Sequence, residues 1–380
     1  MKQKRMRFVL VLILSLLLLG VVTLVLPAKS FSESENRPLA QMPVVNSETV
    51  QTGTFQSGLS DYISDQFPLR SMWMKLHTGM QKLMGKKEIG GVYVGKEHYY
   101  FKAFTDEDYS PNKMEAVFDL MDSFVQGVRV PTTVMLVPSP GTVLEDLLPA
   151  HAPYYDANPV YDAAKAQLSG KVIDLRAAFA ASRDHTQLYY KTDHHWTTQA
   201  AYLAYEAYCK ANNLTPEPYI MAPVTQNFYG TNHTKILDGA AKPDTILAVQ
   251  RLPKMEVVYD DGTVSDSPYR PDLLEHKDQY TYFFGGNWGK ITLNTQAKGG
   301  NLLVLKDSFA NCFVPFLTAN YAKITVVDLR HFEGDLLKLI EEEQVTDLLF
   351  LYEMSNLLTD TGIYSLGLAV DTLEMQQTAP

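Results

Sequence analysis

The sequence predicts a three-layer α/β domain with a mostly parallel sheet and a small β-rich insertion, carried behind one N-terminal transmembrane helix. Three patterns predict it. Residues 8–26 form an uncharged apolar run, short apolar runs then alternate with helical patterns along most of the chain, and residues 222–297 interrupt that rhythm with alternating β-like stretches. At 380 residues, 46% of them hydrophobic, the chain can bury a sizeable core and is neither a disordered tail nor a coiled coil.

The N-terminal elements come first. The 19 residues from Phe8 to Leu26 span a bilayer core at about 1.5 Å per residue. Lys2, Lys4, Arg5 and Arg7 precede the run and no such cluster follows it. The positive-inside rule therefore keeps residues 1–7 as a cytoplasmic basic tip, makes 8–26 a signal anchor and places the rest outside, a single-pass type II arrangement in the cell membrane. A cleaved signal peptide is the alternative, but the run exceeds the usual apolar length of about 7–15 residues. The chain carries 33 Lys and Arg against 43 Asp and Glu, so the part beyond the tip is strongly acidic, which excludes a nucleic-acid-binding body held by a basic surface.

Residues 27–54, rich in Ser, Asn, Pro and Gln, read as a linker, and 55–380 as the α/β domain. Apolar spacings near three and four from Phe55 to Leu83 predict helices interrupted at Pro68. GVYVG followed by HYYF reads as a hairpin. MEAVFDLMDSFVQ then precedes strand-like TTVMLVP; YDAAKAQL precedes VIDL; NLLVL precedes helical SFANCFVPFL; ITVVDL precedes GDLLKLIEE, and TDLLFLY closes the series. Within 222–297, TILAVQRL, MEVVYDDGTV and QYTYFF read as β-like, with a turn at Asp261-Gly262, and form an insertion beside the sheet. Cys209 and Cys312 lie in apolar helical patterns and read as two buried small hydrophobes, with a bridge between them as the alternative.

The chemistry centres on Tyr190-Lys191-Thr192-Asp193-His194-His195-Trp196, a loop opening onto the helical pattern TTQAAYLAYEAYCK. Asp and His at this spacing suit a metal site poorly, because adjacent histidines do not converge on one ion as an i, i+4 pair does. They suit general base catalysis, in which a carboxylate orients an imidazole that deprotonates a hydroxyl. Ser308 supplies the hydroxyl: in NLLVLKDSFANCFVPFL it follows a buried-type strand and opens a helix, where backbone N–H groups face an oxyanion. A plain N-cap role for Ser308 or Asp307 is the competing explanation. Neither a cofactor nor a metal is called for.

TDHHWTTQAAY and NLLVLKDSFANCFVPFL, together with FFGGNW, DQFPLR and SENRPLAQMP, resemble the DHHW protein family of Gram-positive bacteria, which is similar to the SGNH-like O-acetyltransferases of exopolysaccharide machinery such as the alginate acetylation proteins. The resemblance implies an SGNH-hydrolase-like fold with Asp193 as orienting carboxylate, His195 as general base and Ser308 as nucleophile. Three departures qualify it: Lys306 stands where ordinary SGNH enzymes carry glycine, Asp193 and His195 are two apart as in the acetyltransferase branch rather than three as in those enzymes, and His194 has no counterpart in the acetyltransferase motif, leaving it a neighbour or an alternative base. Gly286 and Asn287 are oxyanion candidates, and His194 and Trp196 substrate-facing ones, with Trp196 alternatively a packing residue. The expected function is O-acetyl transfer to a cell-envelope or secreted polysaccharide, with a membrane-bound O-acyltransferase as donor partner. An esterase or deacetylase, or a non-catalytic envelope glycan-binding or scaffold protein, are the alternatives.

Overall fold

The structure, a computed structural model, describes residues 2–378. The chain divides into two compact units: one runs to Gly90 and includes His233–Ala240, and the other comprises Gly91–Asn232 and resumes at Ala241.

The first unit begins with α1 (Lys2–Val25), whose stretch Met6–Thr23 has a mean hydropathy of 2.6, long and apolar enough to cross a membrane. Helices α2 (Thr54–Asp65) and α3 (Arg70–Leu83) are separated at Pro68 as the spacing predicts. The segment read as a linker differs from expectation. It forms a small ribbon, Phe31–Ser32 against Arg37–Pro38, which ion pairs tie to the helices. Arg37 binds Asp65 at 2.5 and 2.8 Å, and Arg70 binds Glu35 at 2.7 Å. A polar composition reads as linker, but these paired charges give it fixed partners. The DQFPLR motif thus has a structural role, its Asp65 and Arg70 holding 35–37.

The second unit holds the sheet. Its elements are the hairpin β1 (Val92–Val94) and β2 (Tyr100–Lys102), then α4 (Pro111–Val128), β3 (Thr132–Val137), α5 (Ala157–Gln167), β4 (Lys171–Asp174) and α6 (Thr198–Ala211). The hairpin β5 (Met221–Phe228) and β6 (Asp244–Val249) follows. Next come β7 (Glu256–Tyr259), β8 (Val264–Ser265), β9 (Lys290–Asn294), β10 (Asn301–Lys306), β11 (Lys323–Val327), α7 (Leu336–Glu342), β12 (Asp347–Glu353) and α8 (Leu366–Thr378).

The main sheet has the order β8-β7-β9-β11-β10-β12-β3-β4. The five strands from β11 to β4 are parallel and the three at the other edge antiparallel. Strict alternation along the parallel strands sends Leu302, Val304, Leu349 and Leu351 into one core with α6, and Leu303, Leu305, Leu348 and Phe350 into another with α4 and α5. Both faces are covered, which is why these strands read as continuous apolar runs. Each such side chain stabilises the fold by roughly 1.5–3 kcal/mol.

Three local expectations are corrected. Of the 222–297 insertion, only β5 and β6 stand apart; β7, β8 and β9 extend the main sheet, because their alternating pattern suits an antiparallel edge as well as a separate body. QYTYFF is a 3₁₀ turn over Gln279–Tyr282 that buries its aromatics in a core rather than on a strand face. SFANCFVPFL has one α-helical turn, Ala310–Phe313, and then a 3₁₀ stretch, Val314–Ala319, because Pro315 lacks the N–H that an α-helix needs there. Beyond β12, α8 packs along α4, with Leu373 against Gly127. Cys209 and Cys312 are both buried and unbridged.

The Arg37 guanidinium beside Asp65 holds this carboxyl at about 2, below its ordinary 3.8. A depressed folded-state value means the pairing stabilises fully above the unfolded value and is lost as pH falls through the folded one. Hydrogen exchange of residues 35–70 should therefore accelerate as pH drops from about 4 toward 2, after correction for intrinsic rates. Asp65→Asn should already show the faster exchange at neutral pH and lose the part of this pH dependence that Asp65 contributes, the Glu35 carboxyl, pushed up by burial but held down by Arg70, keeping the rest.

Candidate functional site

Strand β10 leads to β11 on one side, and the chain then returns to β12 on the other. Such a reversal opens a crevice at the carboxyl ends of the strands. Ser308 stands there, half-buried, two residues beyond β10. It precedes the helical turn at Ala310 rather than lying within it. Asp307 fixes the turn: it accepts hydrogen bonds from the Phe309 N–H, the Glu353 N–H and Asn356 Nδ2, each at 2.9 Å. Burial nevertheless pushes the Asp307 carboxyl up to about 6.

The Asp193 loop is pinned from several directions. Tyr190 N–H donates to the His195 carbonyl (3.2 Å) and Thr197 N–H to that of Leu188 (2.8 Å), closing the loop on itself. Thr197 also caps α6 by accepting from Ala200 N–H. From β6, the buried Asp244 accepts from Lys191 N–H, Thr192 N–H, the Thr192 hydroxyl and Gln187 Nε2 at 2.7–3.0 Å. Trp196 is wholly buried, and its Nε1 donates to the Phe309 carbonyl at 2.8 Å, tying this loop to the one carrying Ser308. Its burial removes it from any substrate surface and supports the packing role.

Two hydrogen bonds then join the three residues paired by sequence reasoning. His195 Nε2 lies 2.8 Å from Ser308 Oγ, and His195 Nδ1 lies 2.5 Å from Asp193 Oδ1. Asp193 Oδ1 also accepts from the His195 N–H (2.9 Å), and Oδ2 from the Thr231 N–H (2.7 Å). Burial opposes ionisation of Asp193, but the imidazoles of His194 and His195 and these hydrogen bonds hold its carboxyl well below the usual range. An ionised Asp193 accepts a hydrogen bond from the His195 Nδ1–H and so leaves the Nε2 lone pair for the serine hydroxyl.

Sequence reasoning missed four contributors. Tyr280 stacks on the His195 ring, centroids 3.8 Å apart, and its hydroxyl reaches the Ser308 carbonyl at 3.3 Å. Thr231 and Asp244 supply the hydrogen bonds above. Gly230 admits Asp193: a Cβ there would sit 2.2 Å from the Asp193 Cβ. Within FYGTNHTK (residues 228–235) the contribution is a backbone N–H and a missing side chain, which no residue type in the segment signals.

The remaining candidates divide. His194 is partly exposed, its ring 3.9 Å from that of His195, in a small crevice with Ser139, Tyr154, Phe309, Glu353 and Asn356. Gly286 commits its N–H to the Phe283 carbonyl at 3.3 Å. Asn287 Oδ1 accepts from Lys306 Nζ (2.9 Å) and Asn311 Nδ2 (3.1 Å). Lys306, in the position of the expected glycine, is buried against Asp328 at 3.2 Å. One ligand atom from each of Asp193, His194 and His195 lies within 4.8 Å of the others, but Asp193 and His195 are engaged with each other and with Ser308. Tyr154 also borders a polar cleft of about 700 Å³, lined by charged side chains of both signs that include Lys96, Glu145, Asp146, Asp156 and Arg176.

Residues 97–262 match the family model described as the SGNH hydrolase-like domain of the acetyltransferase AlgX. A DHHW family protein from Eubacterium siraeum has a similar structure, with a TM-score of 0.63 and 20% identity over 74% of this chain and 96% of that one. PatB1 of Bacillus cereus superposes with a TM-score of 0.57 and 23% identity over 70% of this chain and 97% of its own. PatB1 has also been solved with a sulfonyl adduct, and that structure matches at 21% identity. No curated protein matches the chain. The fold is the SGNH-like α/β fold that the sequence motifs implied.

Gly230→Ala must displace Asp193. A misplacement of about 1 Å in such a constellation costs roughly 10²-fold in rate. Sulfonylation of Ser308 by a sulfonyl fluoride, followed by mass spectrometry, should slow by that order in Gly230→Ala while circular dichroism stays unchanged.

Proposed function

We propose that this chain is an extracytoplasmic, membrane-anchored O-acyltransferase that moves an acetyl group through Ser308 to a hydroxyl of a cell-envelope or secreted polysaccharide. The observation that carries this reading is the continuous hydrogen-bonded line Ser308–His195–Asp193 at 2.8 and 2.5 Å. The family match to the acetyltransferase AlgX supports the choice of acyl group.

The steps follow from the atoms. His195 Nε2 takes the Ser308 hydroxyl proton while Oγ attacks the acyl carbonyl carbon. The Ser308 N–H, which donates to no acceptor among the described residues, faces the resulting oxyanion in this reading. Asn287, its oxygen held by Lys306 and Asn311, contributes its amide nitrogen as a second donor. The intermediate collapses, the leaving oxygen takes the proton from His195, and acetyl-Ser308 remains. His195 then deprotonates an acceptor hydroxyl, which attacks the acetyl carbonyl and restores the serine. Water in the acceptor's place gives hydrolysis. Asp193 stays ionised throughout and stabilises the imidazolium.

The crevice at His194 and the polar cleft beyond Tyr154 form the acceptor path. The mixed charges of that cleft suit a neutral sugar rather than a polyanion. Residues 1–7 and 8–26 serve as cytoplasmic tip and anchor, and a membrane-bound O-acyltransferase serves as donor.

Acetyl release from an activated ester tests the assignment. Ser308→Ala and His195→Ala should reduce kcat to near background, and Asp193→Asn by roughly 10³–10⁴-fold. His194→Ala should retain turnover and change the yield of acetylated sugar acceptor. Equal inactivity of the wild type and Ser308→Ala, with no sulfonyl adduct, would favour a glycan-binding or scaffold role.

A further inference from the structure

Helix α3 carries an apolar face that the described residues of its unit leave exposed. At about 100° per residue, Met72, Trp73, Leu76, Met80, Leu83 and Met84 fall within an arc of about 120°. All six are exposed, Leu83 at 89% and Met84 at 70%. Leu69 extends the face at the helix start, 68% exposed and held at a φ of 58° that a leucine rarely adopts. The opposite face carries the buried Thr78, which donates to the Ile236 carbonyl, and Lys82, paired with Asp238. The helix is therefore fixed in its unit with its apolar side outward.

The charges carried by the helix and the turn after it are basic, with Arg70 paired to Glu35 and Lys82 to Asp238. From Gln66 to Lys87 the chain has Arg70, Lys75, Lys82, Lys86 and Lys87 and no Asp or Glu, although the protein as a whole is at −10. Lys75, Lys86 and Lys87 are exposed. An exposed arc of Leu, Met and Trp bordered by Lys and Arg is the pattern of a helix lying in a bilayer interface, apolar side down and cations at the headgroups. It also lies fewer than 50 residues beyond the apolar stretch Met6–Thr23, so the bilayer is within reach.

We infer that α3 docks on the anionic lipid surface of the membrane that α1 crosses, seating the first unit against the bilayer. This rests on reading α1 as a membrane span, and the experiment separates the two. The full chain is reconstituted into vesicles of phosphatidylcholine with or without phosphatidylglycerol, with acyl chains brominated to quench tryptophan. Flotation of the protein with the vesicles reports the anchor; the emission lost relative to Trp73→Phe reports the face. Of the three tryptophans, Trp196 is buried and Trp288 half-buried.

Trp73 emission should be quenched in phosphatidylglycerol vesicles and much less in phosphatidylcholine alone. Lys75→Glu with Lys86→Glu and Lys87→Glu should relieve the quenching while flotation persists, and so should Leu76→Glu with Leu83→Glu at unchanged circular dichroism. Flotation without Trp73 quenching in either lipid would overturn the docking while leaving the anchor intact. Equal quenching in both lipids would overturn the role of anionic headgroups. Cross-linking between Trp73 faces of two chains in place of lipid contact would assign the surface to a second copy and overturn the proposal.

Discussion

The site depends on keeping one carboxylate ionised after water has been removed from it. Asp193 is 2% exposed, and an unpaired charge in that position would protonate rather than remain. Its partners come from two parts of the chain: the His195 ring and N–H from its own loop, and the Thr231 N–H from beyond the β5 strand. Removing one partner of such a buried pair typically costs about 3–5 kcal/mol. Much of the neighbouring sequence meets this demand, including the missing side chain at Gly230 and the four hydrogen bonds that Asp244 accepts from residues 187–192.

The serine is positioned by equally specific means. Two buried networks flank the turn that carries it. On one side Asp307 reaches the Glu353 N–H and Asn356, while Glu353 is bound by Ser139 and Ser355. On the other, Lys306 joins Asp328, which Arg330 also binds at 2.6 Å, and Asn287. The lysine that departs from the SGNH glycine thus becomes a support for the Asn287 loop. Consecutive residues at a strand end face opposite ways, so one short segment can anchor both networks.

The fold was legible wherever burial on two faces forces a simple pattern. NLLVL and TDLLFLY could only be central strands, and the alternation of strands with amphipathic helices gave the layers. Asp193, His195 and Ser308 were legible because an acid, a base and a nucleophile at a loop and a strand end carry their own chemistry. Tyr280 was hidden because QYTYFF alternates like a strand although its rings pack around a 3₁₀ turn. Gly230, Thr231 and Asp244 were hidden for a different reason. Each acts through backbone or through a hydrogen bond to a residue far away in sequence, and periodicity records neither. The polar segment before α2 misled in the same way: Glu35 and Arg37 look solvated until Arg70 and Asp65 are placed beside them.

The chemistry proposed for the second unit requires that the acyl group rest covalently on one serine. Mass spectrometry of peptides from full-length protein quenched during turnover of an acetyl ester tests that requirement without reference to the acceptor. The acetyl group should be found on the peptide containing Ser308, accumulate when no sugar is supplied, and vanish in His195→Ala. Turnover with no acetyl on Ser308 at any quench time, or acetyl carried on another residue, would contradict the role assigned to the Ser308–His195–Asp193 line.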